Sequence, residues 1–177
     1  MAASPSALTM SVEEYLNTTF RPDVDYVDGV IEERNVGEWD HGALTLAIAR
    51  LLQDRQQEWG VRVAPEVRVQ VLPTNFRIPD VCVVDARYPR EQIVRRPPLL
   101  CVEVVSPRDR LARLVQRAKE FHAMGVGDVW IFDPQTGKVW VSTPGALAEH
   151  AGGELTVLGT AIAFDPQAAF ALAEELG

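Results

Sequence analysis

Apolar and polar positions change their period several times along the chain, and each change marks an element. Leu44, Ala47, Ile48, Leu51, Leu52, Arg55 and Trp59 recur at three- and four-residue spacing. That predicts a helix from a cap at Asp40 to about Trp59, with Gly60 as its stop. From Val61 to Leu72 the period becomes two. Val67, Val69 and Val71 face one way and Glu66, Arg68 and Gln70 the other, as in a half-exposed strand. Ile78–Val84 and Leu99–Val105 are almost continuously apolar, the pattern of strands buried on both faces. A second helix, Asp109 to Met124, carries Leu111, Leu114, Val115, Ala118 and Phe121 on one face and ends at Gly125.

Shorter elements fill the remainder. Ser11 and Glu14 make a capping-box pair at the head of a short helix within Thr9–Asn17. Tyr26-Val27-Asp28-Gly29-Val30-Ile31 reads as a hairpin, because a type I′ turn needs positive φ and glycine adopts it without strain. Val129–Phe132 and Lys138–Val141 form another hairpin around Asp133-Pro134-Gln135-Thr136-Gly137. Residues 154–158 predict a last strand, and Asp165-Pro166 opens a C-terminal helix. Residues 1–8 are expected to be a flexible tail. With no repeat or linker in view, residues 9–177 read as a single domain of mixed sheet and helices, long enough to bury a substantial core.

Two positions break the pattern. Glu103 interrupts Leu99-Leu100-Cys101-Val102-Glu103-Val104-Val105, and Asp80 interrupts Ile78-Pro79-Asp80-Val81-Cys82-Val83-Val84. A buried ionised carboxylate is costly unless a charge, hydrogen bonds or a metal compensates it. By strand alternation Asp80 shares a face with Cys82, and Glu103 with Cys101. Adjacent strands in suitable register would therefore bring both acids to one point, where a hard cation such as Mg²⁺ would satisfy them.

Composition narrows the classes. Apolar residues make up 47% and charged residues 24%, an ordinary globular balance. No apolar run approaches the roughly 20 residues that cross a bilayer, and Met1–Met10 lacks the regions of a secretory signal. Cys82 and Cys101 sit in apolar runs without Cys-x-x-Cys spacing, as buried thiols do in a reducing, cytoplasmic setting. The formal net charge of −8 confines any nucleic-acid contact to a local basic stripe, for which Arg110, Arg113 and Arg117 have helical spacing. His41, His122 and His150 show no metal-ligand spacing, and nothing resembles a nucleophile elbow.

In order along residues 10–172, six segments resemble the Uma-type putative restriction endonucleases of the PD-(D/E)XK superfamily. They are Asp25-Tyr26-Val27-Asp28-Gly29; His41 opening a helix; Ile78-Pro79-Asp80-Val81; Val102-Glu103-Val104-Val105-Ser106-Pro107; Gly125-Val126; and Val129-Trp130-Ile131-Phe132-Asp133-Pro134. The resemblance implies an α/β (mixed α+β) restriction-endonuclease-like fold, its central sheet flanked by helices. It also implies that Asp80, Glu103 and the carbonyl of Val104 hold Mg²⁺ or Mn²⁺, that Asp25 supports the site, and that His41 stands near a DNA substrate. A homodimer would suit cleavage of both strands.

The chain departs from the family pattern at the lysine that orients water or stabilises charge. Val105 stands two residues after Glu103. Arg117 occupies the family register on the following helix, and Lys119 lies two residues further on. The two flank the apolar face on opposite sides, so helical geometry leaves both as candidates. Arginine keeps the charge but does not give up a proton at ordinary pH. Two functions follow: a metal-dependent DNA endonuclease, or a catalytically degenerate nuclease fold serving as a binding, regulatory or dimerisation module.

Overall fold

A computed structural model describes residues 9–34, 37–107 and 109–176; the expected tail at 1–8 lies outside them. The first half of the chain forms α1 (Val12–Asn17), β1 (Val24–Val27), β2 (Val30–Glu33), α2 (Trp39–Asp54), α3 (Gln56–Trp59), β3 (Val61–Pro65) and β4 (Val69–Leu72). Then come β5 (Asn75–Arg77), β6 (Val81–Asp85), β7 (Leu100–Val104), α4 (Leu111–Met124), β8 (Asp128–Asp133) and β9 (Lys138–Thr143). The chain closes with β10 (Ala146–Glu149), β11 (Leu155–Thr156), β12 (Ala163–Phe164) and α5 (Pro166–Leu176). Among the described residues no helix is long and apolar enough to cross a membrane.

Six strands make the main sheet, in the order β10-β9-β8-β7-β6-β3, with β7 and β8 parallel and the other pairs antiparallel. Alternation sorts its side chains between two helical layers. Val81, Val83, Val102 and Val104 join Leu44, Ile48 and Leu52 of α2 and Ala169 of α5 in one core. On the other face Cys82, Cys101 and Val129 pack against Ala118 and Phe121 of α4. Complete burial of such side chains contributes about 1.5–3 kcal/mol each. A smaller antiparallel sheet, β2-β1-β5-β4, covers a third cluster of Tyr15, Val24, Tyr26 and Phe76. Tyr15 donates its hydroxyl to the Val24 carbonyl at 3.0 Å and stacks on Tyr26 with ring centroids 4.8 Å apart.

Several expected elements divide where the chain changes sheets. The single strand foreseen from Val61 to Leu72 is two strands in different sheets, because Pro65 lacks a ladder donor and Glu66 turns the chain at φ 49°. The strand foreseen from Ile78 begins only at Val81. Asn75–Arg77 pairs within the small sheet instead, and Ile78-Pro79-Asp80 is the passage between the two. The helix foreseen to Trp59 breaks at Arg55, and Glu38 rather than Asp40 occupies its cap. Thr9 lies outside α1, bridging to Val30, while Ser11 and Glu14 do form the capping box. The Asp28-Gly29 turn has positive φ at both residues, 47° and 89°.

The register of β6 on β7 positions the acids. Val81 pairs with Val102 and Cys82 with Cys101, so one more step sets Asp80 opposite Glu103. Helix α4, which supplies the site's cation, ends at Gly125 with φ 112°, and the Val126 N–H bonds back to the Phe121 carbonyl at 3.1 Å. A Cβ at Gly125 would meet Pro97 Cγ at 3.2 Å. Gly125→Ala should therefore lower unfolding free energy by about 1–2 kcal/mol, read by denaturant titration.

Candidate active site

Three buried carboxylates meet at the seam of the two sheets. Asp80, at the passage into β6, is 3% exposed, and its Oδ2 accepts the Val104 N–H at 2.7 Å. Its Oδ1 accepts from Arg34 Nη2 at 2.8 Å, and His41 Nε2 stands 3.5 Å from Oδ2. Glu103, near the end of β7, directs Oε1 at Arg117 Nε and Nη2, at 3.1 and 3.0 Å. Asp25, fully buried on β1, accepts the Ile78 N–H at 3.0 Å and pairs with both Arg77 and Arg117. Arg117 Nη2 also donates to the Ile78 carbonyl at 2.9 Å. Arg117 thus ties an acid of the small sheet to an acid of the large one.

Arg34, His41, Asp80, Glu103, Val104 and Arg117 line a cleft of about 30 Å³, with Asp109 and Arg113 at its margin. That is roughly room for one water. Asp25 stands behind Arg117 and does not line the cleft. Lys119 is exposed and lines no part of it, whereas Arg117 reaches it. The basic stripe divides: Arg117 turns inward, and Arg113 remains half-exposed with Nη2 donating to the Glu33 carbonyl at 2.9 Å.

The electrostatics of the two facing acids differ. Burial would raise the Asp80 carboxyl, but the His41 hydrogen bond, the charges of His41 and Arg34, and the Val104 N–H together hold it below its usual value. Burial likewise opposes a charge on His41, yet Asp80 prevails and raises it. Burial dominates at Glu103, and the Asp80 charge adds to it. Even with Arg117 alongside, the carboxyl is pushed up to about 7. Desolvation is outweighed at Arg117 too, where Glu103 and Asp25 strengthen its hold on the proton.

Sequence reasoning did not single out Arg34 or Arg77. Arg77 is 5% exposed, forks onto Glu120 with two 2.7 Å bonds, and reaches Asp25 and Glu32. Its position between apolar Phe76 and Ile78 is a detectable signal of a buried charge. Arg34 follows a hairpin and carries no comparable mark. Among the described residues no three His, Cys, Asp or Glu side chains form a metal cluster; the acids lining the cleft are Asp80, Glu103 and Asp109, with Val104 beside them.

Comparison with known proteins places this geometry. The model of the Uma2 family, described as putative restriction endonuclease, matches residues 12–169. A crystal structure of a putative nuclease belonging to DUF820, from Anabaena variabilis ATCC 29413, superposes with a TM-score of 0.80 at 18% identity. The match covers 93% of this chain and 99% of that one. The likeness shows a shared restriction-endonuclease-like fold. A cryoEM structure of a DrdV–DNA complex is more distant: TM-score 0.46, 16% identity, 77% of this chain and 12% of that one. No curated protein sequence matches significantly.

Because the folded Glu103 carboxyl lies above its ordinary value of 4.5, its ionisation opposes folding. Its contribution to stability is full below about 4.5 and is lost as pH rises through about 7. A carboxyl-carbon NMR titration of metal-free protein should show a midpoint near 7, moving higher in Arg117→Gln; an ordinary midpoint would contradict the buried placement.

Proposed function

The chain belongs to the Uma2 family of putative restriction endonucleases, and on that premise we propose that it is a metal-dependent endonuclease hydrolysing phosphodiester bonds in DNA. The observation that carries this reading is the register that sets Asp80 opposite Glu103, with both residues and Val104 lining one cleft. Carboxylates and a carbonyl are the oxygen donors that Mg²⁺ and Mn²⁺ take. Burial, with the Asp80 charge added, holds the Glu103 carboxyl high, and a cation bound between the two acids would offset both effects. Asp80, Glu103 and the Val104 carbonyl would hold the ion, which when bound acidifies water and stabilises charge on phosphate oxygens.

The chain's own groups do the remainder. Asp25 positions Arg117, and Arg117 orients Glu103 through a forked bond to one carboxylate oxygen. Held also by Ile78, Arg117 supplies fixed positive charge but exchanges no proton. His41 stands at the cleft against Asp80, where a protonated ring would meet a phosphate. Arg113, half-exposed at the margin, is placed for backbone contact. A second copy of the chain would be needed to cut both strands at one locus.

One observation favours the second reading, a catalytically degenerate module that binds or regulates. Arg34 already engages Asp80 and Arg117 engages Glu103, so the acids have partners without any ion. An ion reaching Asp80 would compete with Arg34 for Oδ1.

Plasmid nicking separates the two. We expect Mn²⁺- or Mg²⁺-dependent nicking that falls on the order of a hundredfold in Glu103→Ala. No nicking, together with calorimetric indifference to Mn²⁺, would establish the degenerate module. Since the ion takes the ionised acid, Mn²⁺ affinity should climb with pH up to about 7 and then level. Arg117→Lys should lower the melting temperature, because the fork is lost, yet raise nicking. Unchanged or lower nicking would acquit arginine as the limit on turnover.

A further inference from the structure

A second concavity lies apart from the carboxylate cleft and is far larger than it. It measures about 720 Å³, within the roughly 300–1,000 Å³ of small-molecule sites. It lies at the other end of β6, lined by Cys82, Val84 and Asp85, and shares no lining residue with the cleft.

Its floor and its rim differ in chemistry. Val67 and Val84 are half-buried at the margin of the core beneath α4, and with Val94 they give the pocket an apolar base. Arg62, Arg87, Arg90 and Arg96 surround that base against only Asp85 and Glu91, a local excess of positive charge in a chain of net −8. Two of these arginines are engaged: Arg87 pairs with Asp85 at 2.6 Å, and Arg62 donates to the Tyr88 carbonyl at 2.7 Å. Glu91 is occupied by the Arg95 and Arg96 backbone N–H groups, at 3.0 and 3.2 Å. Arg90 and Arg96 enter no salt bridge among the described residues. The Arg96 guanidinium instead lies 4.5 Å from the ring centroid of Tyr88, which is 46% exposed.

We propose that this pocket binds a nucleoside phosphate, independently of the nuclease reading. An exposed tyrosine with a guanidinium plane at its ring offers stacking to a flat heterocycle, and the valines shield its edge from water. Arg90 and Arg96, both on the pocket lining and neither in a salt bridge among the described residues, offer guanidinium N–H donors of the kind that phosphate oxygens accept. The volume is far larger than an inorganic anion needs.

Calorimetry on the full chain tests this with the four nucleoside 5′-monophosphates, and with adenosine, inorganic phosphate and octanoate as comparison probes. At least one nucleotide should bind with a Kd below about 1 mM and at least about tenfold more tightly than any comparison probe. The Arg90→Ala/Arg96→Ala double variant and Tyr88→Ala should each weaken it about tenfold. All three side chains are exposed, so melting temperatures should match the parent. Glu103→Ala should leave this binding intact. Methyl NMR shifts at Val67, Val84 and Val94 on adding the nucleotide would place it in the pocket. The proposal fails if no nucleotide binds at millimolar concentration, or if phosphate or octanoate binds as well. It fails equally if the variants have no effect or if the shifts gather around His41.

Discussion

A single guanidinium joins the two sheets of this protein. Arg117 is 5% exposed and contacts Asp25 of the small sheet, Glu103 of the large sheet and the Ile78 carbonyl between them. Three buried carboxylates cannot be desolvated at one seam without compensation. Arg117, Arg77 and Arg34 provide it, and through Glu120, Glu32 and the Val104 N–H the network extends into α4, the β2 edge and β7. Removing Arg117 would leave Glu103, 3% exposed, without the guanidinium that both of its recorded side-chain bonds come from. The relative placement of the sheets therefore depends on this network as much as on apolar packing.

The network leaves an imbalance that bears on function. Asp80 is held in its charged form by His41, Arg34 and a backbone donor, whereas Glu103, facing it, is driven toward neutrality by burial and by Asp80 itself. On the proposed reading, a cation between the two acids would draw Glu103 back to its charged form. Arg117 takes part in that balance. Its fork engages both Asp25 and Glu103, and the guanidinium itself gives up no proton at ordinary pH.

Helices and central strands were legible because their signals are local and periodic. The α4 face, the Asp28-Gly29 hairpin, the capping box and the apolar β7 run each follow from spacing or turn chemistry. Asp80 and Glu103 stood out as charges where the pattern called for oil. The chain's crossings between sheets were not legible: Val61–Leu72 keeps one alternation across Pro65 and Glu66 although its halves enter different sheets. Arg34 escaped notice for a related reason, since a polar residue after a hairpin looks solvated until its partner 46 positions away is known.

The sequence alone determined where the main helices and central strands lie, which faces are apolar, and that two acids are anomalous, because these depend on neighbours within a few residues. Only the tertiary structure decided that β6 pairs with β7 in the register opposing those acids, that Arg117 rather than Lys119 turns toward them, and that Asp25 lies behind. Register and side-chain choice are fixed by contacts between residues tens of positions apart. There the cost of an unpaired buried charge, which no local pattern records, selects one arrangement over the others.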